Sequence, residues 1–379
     1  MHRLEEKLIA REKEGNLRTL ASQELPIDFL SNDYLGLARN VELYNAIACD
    51  YTLVNDHNRL NGSTGSRLLS GNNVYYQETE LFLAEYFKSE SALLFNSGYD
   101  ANVAILSTIP QKGDTIIYDE LIHASLKEGA RLSFAKRISF KHNNLDDLAS
   151  KLAKSGGERF VVVESVYSMD GDFSHLENIL SICQKYSAQL ILDEAHSTGI
   201  WGIRGEGIAC EKEIHPKIFA RIHTFGKAIG VHGACVVGSK IFTDYLINFA
   251  RPFIYTTCLP MHSIVSIKSS LKFLSNHIQL REDLFKVIFN FRNSIQSSFG
   301  DKWNNFFCDS HSPIQILKIP GNDKVRNIAS HLQERGFNVK PILSPTVREG
   351  KERIRICLHA YNKPEQIRAL IQVLIKHLT

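Results

Sequence analysis

The stretch Leu190–Ser197, LILDEAHS, indicates the fold class of this chain. It opens with an uninterrupted apolar run and passes directly into an acidic residue, Asp193. Short continuous apolar runs are typical of strands that are covered on both faces of a parallel sheet. Ligands bind beyond the carboxyl ends of the strands in such sheets, and we expect Asp193 to lie at one of these ends.

Similar apolar runs recur along the chain, with helical patterns between them. Further strands are predicted at Ala92–Phe95, Thr115–Tyr118, Phe160–Val163 and Ala234–Val237, and helices at Leu145–Leu152 and Leu176–Tyr186. This alternation predicts an α/β fold with a mainly parallel sheet flanked by helices.

A smaller domain is predicted after this alternating region. A helix at about 262–278 leads into it, and runs at 313–317 and 353–356, with an amphipathic tail from Pro364, indicate an α+β unit. We therefore place an N-terminal arm at 1–40, a large domain at 41–275 and a small C-terminal domain at 276–379.

Composition argues against several classes of protein. The chain has 379 residues, 44% of them apolar, and a net charge of +3 from 44 basic and 41 acidic residues. Without a long basic run, nucleic acid is not an expected partner. The first twenty residues are charged, which argues against a secretory signal, and no run approaches the roughly 20 apolar residues of a membrane span. Seven cysteines without a Cys-x-x-Cys pair predict buried reduced thiols and a cytoplasmic location.

A second segment, HTFGKA at 223–228, contains a lysine in a predicted strand-to-loop transition. A primary amine condenses with an aldehyde as a Schiff base, and a carboxylate keeps a pyridine nitrogen protonated. At roughly 4 Å and an effective dielectric of about 20, such a charge pair is worth about 4 kcal/mol. We therefore predict pyridoxal 5'-phosphate as cofactor, with Lys227 as amine, Asp193 as partner of the ring nitrogen and His196 at the ring hydroxyl. Taken singly, Lys227 reads as a surface lysine and Asp193 as a helix cap.

A phosphate site is predicted at Ser97, Gly98 and Tyr99, which follow a strand and precede a helix. Backbone amides at the start of a helix bind phosphate, and glycine lets the anion approach. Thr224 is expected to add a hydroxyl. The glycine-rich segment at 62–67 reads as a turn, and the glycines between 199 and 207 are spaced unlike a dinucleotide fingerprint. No metal site is predicted, because no helical His-x-x-x-His pair is present.

Taken together, these segments resemble the α-oxoamine synthases, fold-type I pyridoxal phosphate enzymes that join an amino acid to an acyl thioester with loss of carbon dioxide. The resemblance runs from about Asp28 to about Tyr361. The matching segments are Ser31–Gly36, Gly62–Arg67, Asp119–Ser125, Glu164–Gly171, Asp193–Ser197, His223–Ala228 and Arg353–Arg355.

The resemblance implies roles for further residues. His123 would stack on the cofactor ring, and Ser168 would contact the ring hydroxyl together with His196. Asn32 and Arg355 would bind the substrate carboxylate, and a guanidinium fork suits that group. Without the family resemblance, the simpler interpretation of His123 is an ordinary core or surface histidine. Ser168 would be interpreted as a turn residue and Arg355 as a surface strand residue.

The family also implies a homodimer with shared active sites. Thr256 and Thr257 match a segment that reaches the phosphate of the neighbouring subunit. Twofold dimers are also the commonest oligomers.

Family members differ in the amino acid and the acyl chain that they use. The segments Thr224–Lys227, Phe249–Thr257 and Asn16–Arg18 most resemble the branch that condenses L-alanine with a pimeloyl thioester in biotin synthesis. The alternatives are glycine with an acetyl thioester, serine with a palmitoyl thioester, transamination or aldol cleavage on the same fold, and a non-catalytic partner subunit. The acyl carrier, coenzyme A or a carrier protein, is left open.

The chain departs from the family pattern at two places. The hairpin that usually precedes the first motif is shortened to Gln23–Asp28, which bears on how the N-terminal arm covers the acyl site. Arg348–Gly350 stands where a proline often precedes the glycine. Arg18 is a candidate for the distal carboxylate of a pimeloyl group, although an exposed helix arginine is the simpler reading.

Overall fold

The computed structural model describes residues 2–15, 17, 18, 20, 25–54 and 61–378. Backbone contacts divide the chain into two compact units. We call residues 32–168 and 172–282 the sheet unit, and residues 1–31, 169–171 and 283–379 the terminal unit. This division falls at 31/32 and 282/283, whereas the domain boundaries at 40/41 and 275/276 stay a prediction.

Helices and strands alternate through the sheet unit, as the sequence predicts. The described α-helices are α1 His2–Lys13, α2 Val41–Thr52, α3 Val74–Tyr86, α4 Gly98–Thr108, α5 Ala124–Leu132, α6 Leu145–Ala153, α7 Leu176–Lys185, α8 Ile208–Glu211, α9 Lys240–Phe249, α10 Arg251–Ile254, α11 Met261–Asn276, α12 Gln279–Phe299, α13 Trp303–Phe306, α14 Asn322–Gln333 and α15 Pro364–Leu378. The described strands are β1 Ile27–Asp28, β2 Ser91–Phe95, β3 Thr115–Asp119, β4 Lys136–Phe140, β5 Arg159–Glu164, β6 Ala188–Asp193, β7 Ala220–Thr224, β8 Ala234–Gly238, β9 Ile314–Lys318, β10 Phe337–Asn338, β11 Pro341–Ile342 and β12 Arg353–Cys357.

A seven-stranded sheet forms the centre of the sheet unit. Its strand order is β2-β8-β7-β6-β5-β3-β4, and only β8 runs against its neighbours. The remaining pairings are parallel, which confirms the predicted mainly parallel sheet. The carboxyl ends of the parallel strands therefore meet at one edge of the sheet.

The apolar runs of the sequence form the core around this sheet. Leu190, Ile191 and Leu192 of β6 are at most 1% exposed, and α4 and α5 cover the sheet with buried residues such as Ile105 and Leu126. Burying a side chain of this size contributes about 1.5–3 kcal/mol. These runs can be continuous because helices shield the central strands from water.

The terminal unit contains two small sheets. The antiparallel order β11-β12-β9 forms one, and β1 pairs in parallel with β10 to form the other. The pairing of Ile27 with Phe337 joins the start of the described chain to its last third. The shortened segment before the first family motif thus forms a single short strand where it is described, while Gln23 and Glu24 lie outside the described residues.

All seven cysteines are free thiols. Five are buried as expected, but Cys308 is half-buried and Cys49 on α2 is exposed, so the expected burial is wrong for these two. Within the described ranges, no helix combines the length and apolar character that crossing a bilayer requires.

Candidate active site

A cavity of about 250 Å³ lies in the sheet unit at the edge where the parallel strands end. Nine of the predicted site residues line it: Asn32, Ser97, Gly98, Tyr99, His123, Asp193, His196, Thr224 and Lys227. Residues far apart in sequence converge here because their strands run in the same direction. The cavity is the candidate active site.

Lys227 lies in the tight connection between the antiparallel strands β7 and β8. The Phe225 amide donates to the Gly233 carbonyl at 2.9 Å, and the Val231 amide donates to the Phe225 carbonyl at 2.9 Å. A third bond of 2.9 Å runs from the Gly230 amide to the carbonyl of Lys227 itself. These bonds hold the backbone of Lys227, while its side chain reaches the cavity and places Nζ 3.1 Å from Nε2 of His196.

Asp193 is the last residue of β6 and is 3% exposed. Its Oδ1 accepts the Ala195 amide at 2.8 Å, and its Oδ2 accepts Nδ2 of Asn102 at 2.8 Å. The same Asn102 amide donates to Oγ of Ser125 at 2.9 Å. Hydrogen bonds of this kind stabilise a buried carboxylate and fix its direction.

Glu164 ends the neighbouring strand β5, and the sheet register pairs it with Asp193. Burial, and after it the nearby carboxylate of Asp193, raise the pKa of Glu164 to about 8, although Lys227 opposes the shift. Most of Glu164 therefore retains its proton at neutral pH. One carboxyl oxygen accepts the backbone amide of His123, which anchors the turn that carries this imidazole.

His123 caps α5, and its Nδ1 lies 2.7 Å from Oγ of Ser125. Burial lowers its pKa, and the nearby Lys227 lowers it too, whereas Asp193 opposes the shift. The imidazole is consequently neutral at physiological pH. A neutral, fixed ring of this kind can stack on a heterocycle or donate a hydrogen bond.

The start of α4 approaches the end of β7 closely. Ser97 caps this helix by accepting the Asp100 amide at 3.1 Å. A methyl group added at Gly98 would lie 2.4 Å from Cγ2 of Thr224, so only glycine allows this approach. Oγ1 of Thr224 is buried and has no hydrogen-bond partner in the described part of the chain. An unpartnered hydroxyl beside the amides of a helix start fits a phosphate group.

The other predicted site residues lie elsewhere. Ser168 is buried and follows shortly after β5. Its backbone amide donates a hydrogen bond to the carboxyl group of Glu164. Nδ2 of Asn96 donates to Oγ1 of Thr256 at 3.0 Å and to the carbonyl of Thr257 at 2.8 Å.

The two predicted arginines belong to the terminal unit. Arg355 is buried on β12 with Nη1 2.9 Å from Sγ of Cys357. Arg18 is exposed, and the neighbouring Asn16 lies outside the described residues. Their contacts with substrate stay predictions.

Sequence reasoning missed several side chains at this site, among them Asn102, Glu164 and Tyr34. Asn102 and Glu164 line the cavity, and Tyr34 contacts His196 behind it. Glu164 ends an apolar strand as Asp193 does, so the same rule could have found it. Asn102 carried no comparable signal, because its role depends on how α4 packs against the sheet.

A charged cluster supports the loops around the cavity. Nδ1 of His142 lies 3.0 Å from Oδ1 of Asp119, and its Nε2 lies 2.7 Å from Oδ2 of Asp172. The Asp119 carboxylate also accepts the Leu121 amide at 2.8 Å, in the turn before His123. Burial opposes protonation of His142, but the two carboxylates prevail and raise its pKa to about 10. We call His142, Asp119 and Asp172 the imidazolium clamp.

This fold and cavity define the class of the protein. A seven-stranded sheet with one reversed strand, flanked by helices, is the fold-type I architecture of pyridoxal phosphate-dependent transferases. The chain belongs to the aminotransferase class I and II family, whose model matches residues 26–374.

Individual proteins with similar sequences indicate which members of this class the chain resembles. The chain is 39% identical to an 8-amino-7-oxononanoate synthase of Emericella nidulans, covering 99% of the chain and 93% of that protein. It is 36% identical to 8-amino-7-oxononanoate synthase 2 of Bacillus subtilis, covering 90% and 85%. These relatives confirm the resemblance to the α-oxoamine synthases.

Solved structures agree on the fold. The crystal structure of 8-amino-7-oxononanoate synthase from Francisella tularensis superposes with a TM-score of 0.79 at 29% identity, covering 93% of this chain and 97% of that one. Serine palmitoyltransferase of Sphingomonas wittichii superposes with a TM-score of 0.86 at 24% identity, covering 97% and 96%. The predicted fold class is thereby confirmed.

The imidazolium clamp makes a prediction about stability. Because the folded-state pKa of His142 lies above the ordinary value of about 6.5, its charge stabilises the fold fully below pH 6.5 and progressively less as pH rises toward 10. In urea unfolding, the midpoint difference between wild type and His142→Gln should be largest near pH 6 and shrink toward pH 10. His175→Gln, at an exposed histidine without a capping bond, is the control and should follow the wild-type curve. A midpoint difference for His142→Gln that is constant over this range contradicts the assignment.

Proposed function

We propose that this chain condenses L-alanine with a pimeloyl thioester to give 8-amino-7-oxononanoate, carbon dioxide and a free thiol, a step of biotin biosynthesis. The single observation that carries the proposal is the cavity that brings Lys227, Asp193, His196 and His123 together. The relatives named above support the choice of substrates. A carbon–carbon bond forms between the α-carbon of alanine and the acyl carbonyl, while the carboxylate carbon leaves as carbon dioxide.

The cavity fits pyridoxal 5'-phosphate. The amides that open α4 and the buried hydroxyl of Thr224 suit the phosphate, and Asp193 suits a protonated ring nitrogen. When bound, this cofactor supplies an aldehyde that condenses with amines and a ring that accepts the electron pair released at the α-carbon. Ser97, Gly98, Tyr99, Ser168 and His196 complete the proposed cofactor contacts.

Lys227 performs two tasks. Its Nζ is the primary amine that the aldehyde requires, and it removes and returns the proton at the α-carbon once the amino acid has taken its place. Asp193, whose Oδ2 accepts Nδ2 of Asn102, is the proposed partner of the ring nitrogen. With Glu164 largely protonated, a second negative charge does not compete for this position.

Four residues are proposed to bind the substrates. Asn32 and Arg355 bind the carboxylate of the amino acid, and the neutral imidazole of His123 polarises the carbonyl of the acyl thioester. Arg18 is the proposed partner of the distal pimeloyl carboxylate. Coenzyme A or a carrier protein serves as the acyl carrier. The cytoplasmic location drawn from the cysteine count stays a prediction.

The active enzyme is proposed to be a homodimer. Thr256 and Thr257 follow Tyr255, a side chain that is 77% exposed, and α10 just before them packs against the turn that exposes Leu68 and Leu69. Exposed apolar residues in one region indicate a surface that another chain covers. The threonines would then reach the phosphate in the partner subunit.

Substrate choice is tested by product formation. With L-alanine and pimeloyl-coenzyme A, kcat/KM for thiol release should exceed that with glycine and acetyl-coenzyme A by at least about tenfold, because even one methyl group in a fitted pocket is worth that much. L-serine with palmitoyl-coenzyme A serves as a second comparison. Thiol release with glycine and acetyl-coenzyme A but not with L-alanine and pimeloyl-coenzyme A contradicts the proposal. Conversion of the cofactor to its amine form by alanine without thioester indicates transamination instead.

Lys227→Ala should lower kcat by at least about 10²–10⁴-fold, the usual contribution of proton transfer by a positioned side chain. Cofactor binding should weaken but persist, as judged by fluorescence titration. Lys217→Ala, at an exposed lysine outside the cavity, is the control and should retain activity. Unchanged turnover in Lys227→Ala refutes the assignment of the amine.

The homodimer predicts that activity depends on association. Sedimentation velocity over a dilution series should show a dimer wherever specific activity is full. The double substitution Thr256→Ala and Thr257→Ala should lower the affinity for pyridoxal 5'-phosphate by about 30-fold without changing sedimentation, since each of the two lost hydrogen bonds costs about 1 kcal/mol. A fully active monomer contradicts the prediction that the active enzyme is a homodimer.

A further inference from the structure

Four side chains of the sheet unit form a continuous line of hydrogen bonds. Nζ of Lys227 lies 3.1 Å from Nε2 of His196, and Nδ1 of His196 lies 2.8 Å from the hydroxyl of Tyr34. This hydroxyl in turn donates to Oδ1 of Asn32 at 3.0 Å. Lys227, His196 and Asn32 line the cavity, whereas Tyr34 is 0% exposed and lies behind it.

The hydrogen bond from Tyr34 to Asn32 sets the direction of the line. A phenol has a single proton, and Tyr34 uses it toward the carbonyl oxygen of Asn32. The short contact with His196 therefore requires Nδ1 of the imidazole to donate to Tyr34. A neutral imidazole has one N–H, so its Nε2 is then the acceptor, and the ammonium of Lys227 donates to it.

We propose that Tyr34 is a positioning residue whose hydroxyl fixes His196 as the Nδ1–H tautomer and fixes the amide of Asn32. Through this one hydroxyl group, two side chains that line the cavity are held in defined orientations. The function of His196 and Asn32 toward cofactor and amino acid rests on the proposed function, but the tautomer and the amide orientation do not.

The line orients the groups that it joins. Its far end is an amide oxygen, which does not take up a proton near neutral pH. Because Oδ1 of Asn32 faces Tyr34, the N–H donors lie on the other side of the amide, as recognition of a carboxylate requires.

Removal of the hydroxyl alone tests the proposal. Tyr34→Phe keeps the buried ring and leaves Nδ1 of His196 without its acceptor. Tyr86→Phe is the matched control, because Tyr86 is also buried and donates its hydroxyl to the carbonyl of Arg204, away from the cavity-lining residues. The readout is the ¹⁵N spectrum of histidine-labelled, cofactor-free protein at neutral pH, with the His196 signals identified by their loss in His196→Gln.

Wild type and Tyr86→Phe should show a protonated Nδ1 and a bare Nε2 at His196, and Tyr34→Phe should lose this pattern. In the holoenzyme, Tyr34→Phe should weaken the binding of L-alanine, followed by the cofactor absorbance, by about tenfold. A wild-type spectrum with the proton on Nε2 overturns the proposal, even if Tyr34→Phe does not fold. An unchanged His196 pattern in folded Tyr34→Phe overturns it too.

The same measurements separate this proposal from the function. If the tautomer behaves as expected but L-alanine leaves the absorbance of the wild-type holoenzyme unchanged, the proposed function fails and the role of Tyr34 toward His196 stands.

Discussion

The pairing of two buried carboxyl groups at the ends of neighbouring parallel strands is the constraint on which the rest of the site depends. Glu164 and Asp193 stand side by side because β5 and β6 share direction and register. Two like charges in a buried place are costly, so one of the pair retains its proton. The Asp193 carboxyl group accepts hydrogen bonds from the side chain of Asn102 and the backbone of Ala195, whereas burial and the neighbouring Asp193 raise the pKa of Glu164.

Helix α4 connects the two ends of the cavity. Its first residue, Gly98, lies against Thr224 at the proposed phosphate end, and Asn102, one turn later, holds Asp193 at the other. With a rise of about 1.5 Å per residue, these positions are about 6 Å apart along the helix axis. A single rigid element therefore sets the spacing between the group that suits an anion and the group that suits a ring nitrogen. Substitutions that tilt α4 would disturb both ends together.

Much of this arrangement could be predicted from the sequence, because it depends on local patterns. The apolar run before Asp193 reveals both a strand and the position of its carboxyl end, and the glycine of Ser97–Tyr99 reveals a helix start. Strand β4 was missed, since Lys136–Phe140 is an exposed edge strand without a continuous apolar run. Long-range partners carry no local pattern: the pairing of Ile27 with Phe337 and the contact of Asn102 with Asp193 arise only when the chain is folded.

The turn between β7 and β8 has a mechanical consequence. Hydrogen bonds on both sides of Lys227 hold its main chain, so the residue is a fixed pivot with a swinging arm of four methylene groups. The amine of Lys227 can change position by rotation about its side-chain bonds, without any movement of the backbone. In the proposed reaction, movement of the amine would then need only changes in side-chain torsions, which interconvert within nanoseconds or faster where they are exposed. A fixed backbone with a flexible side chain suits an amine that is proposed both to bind the cofactor and to transfer a proton.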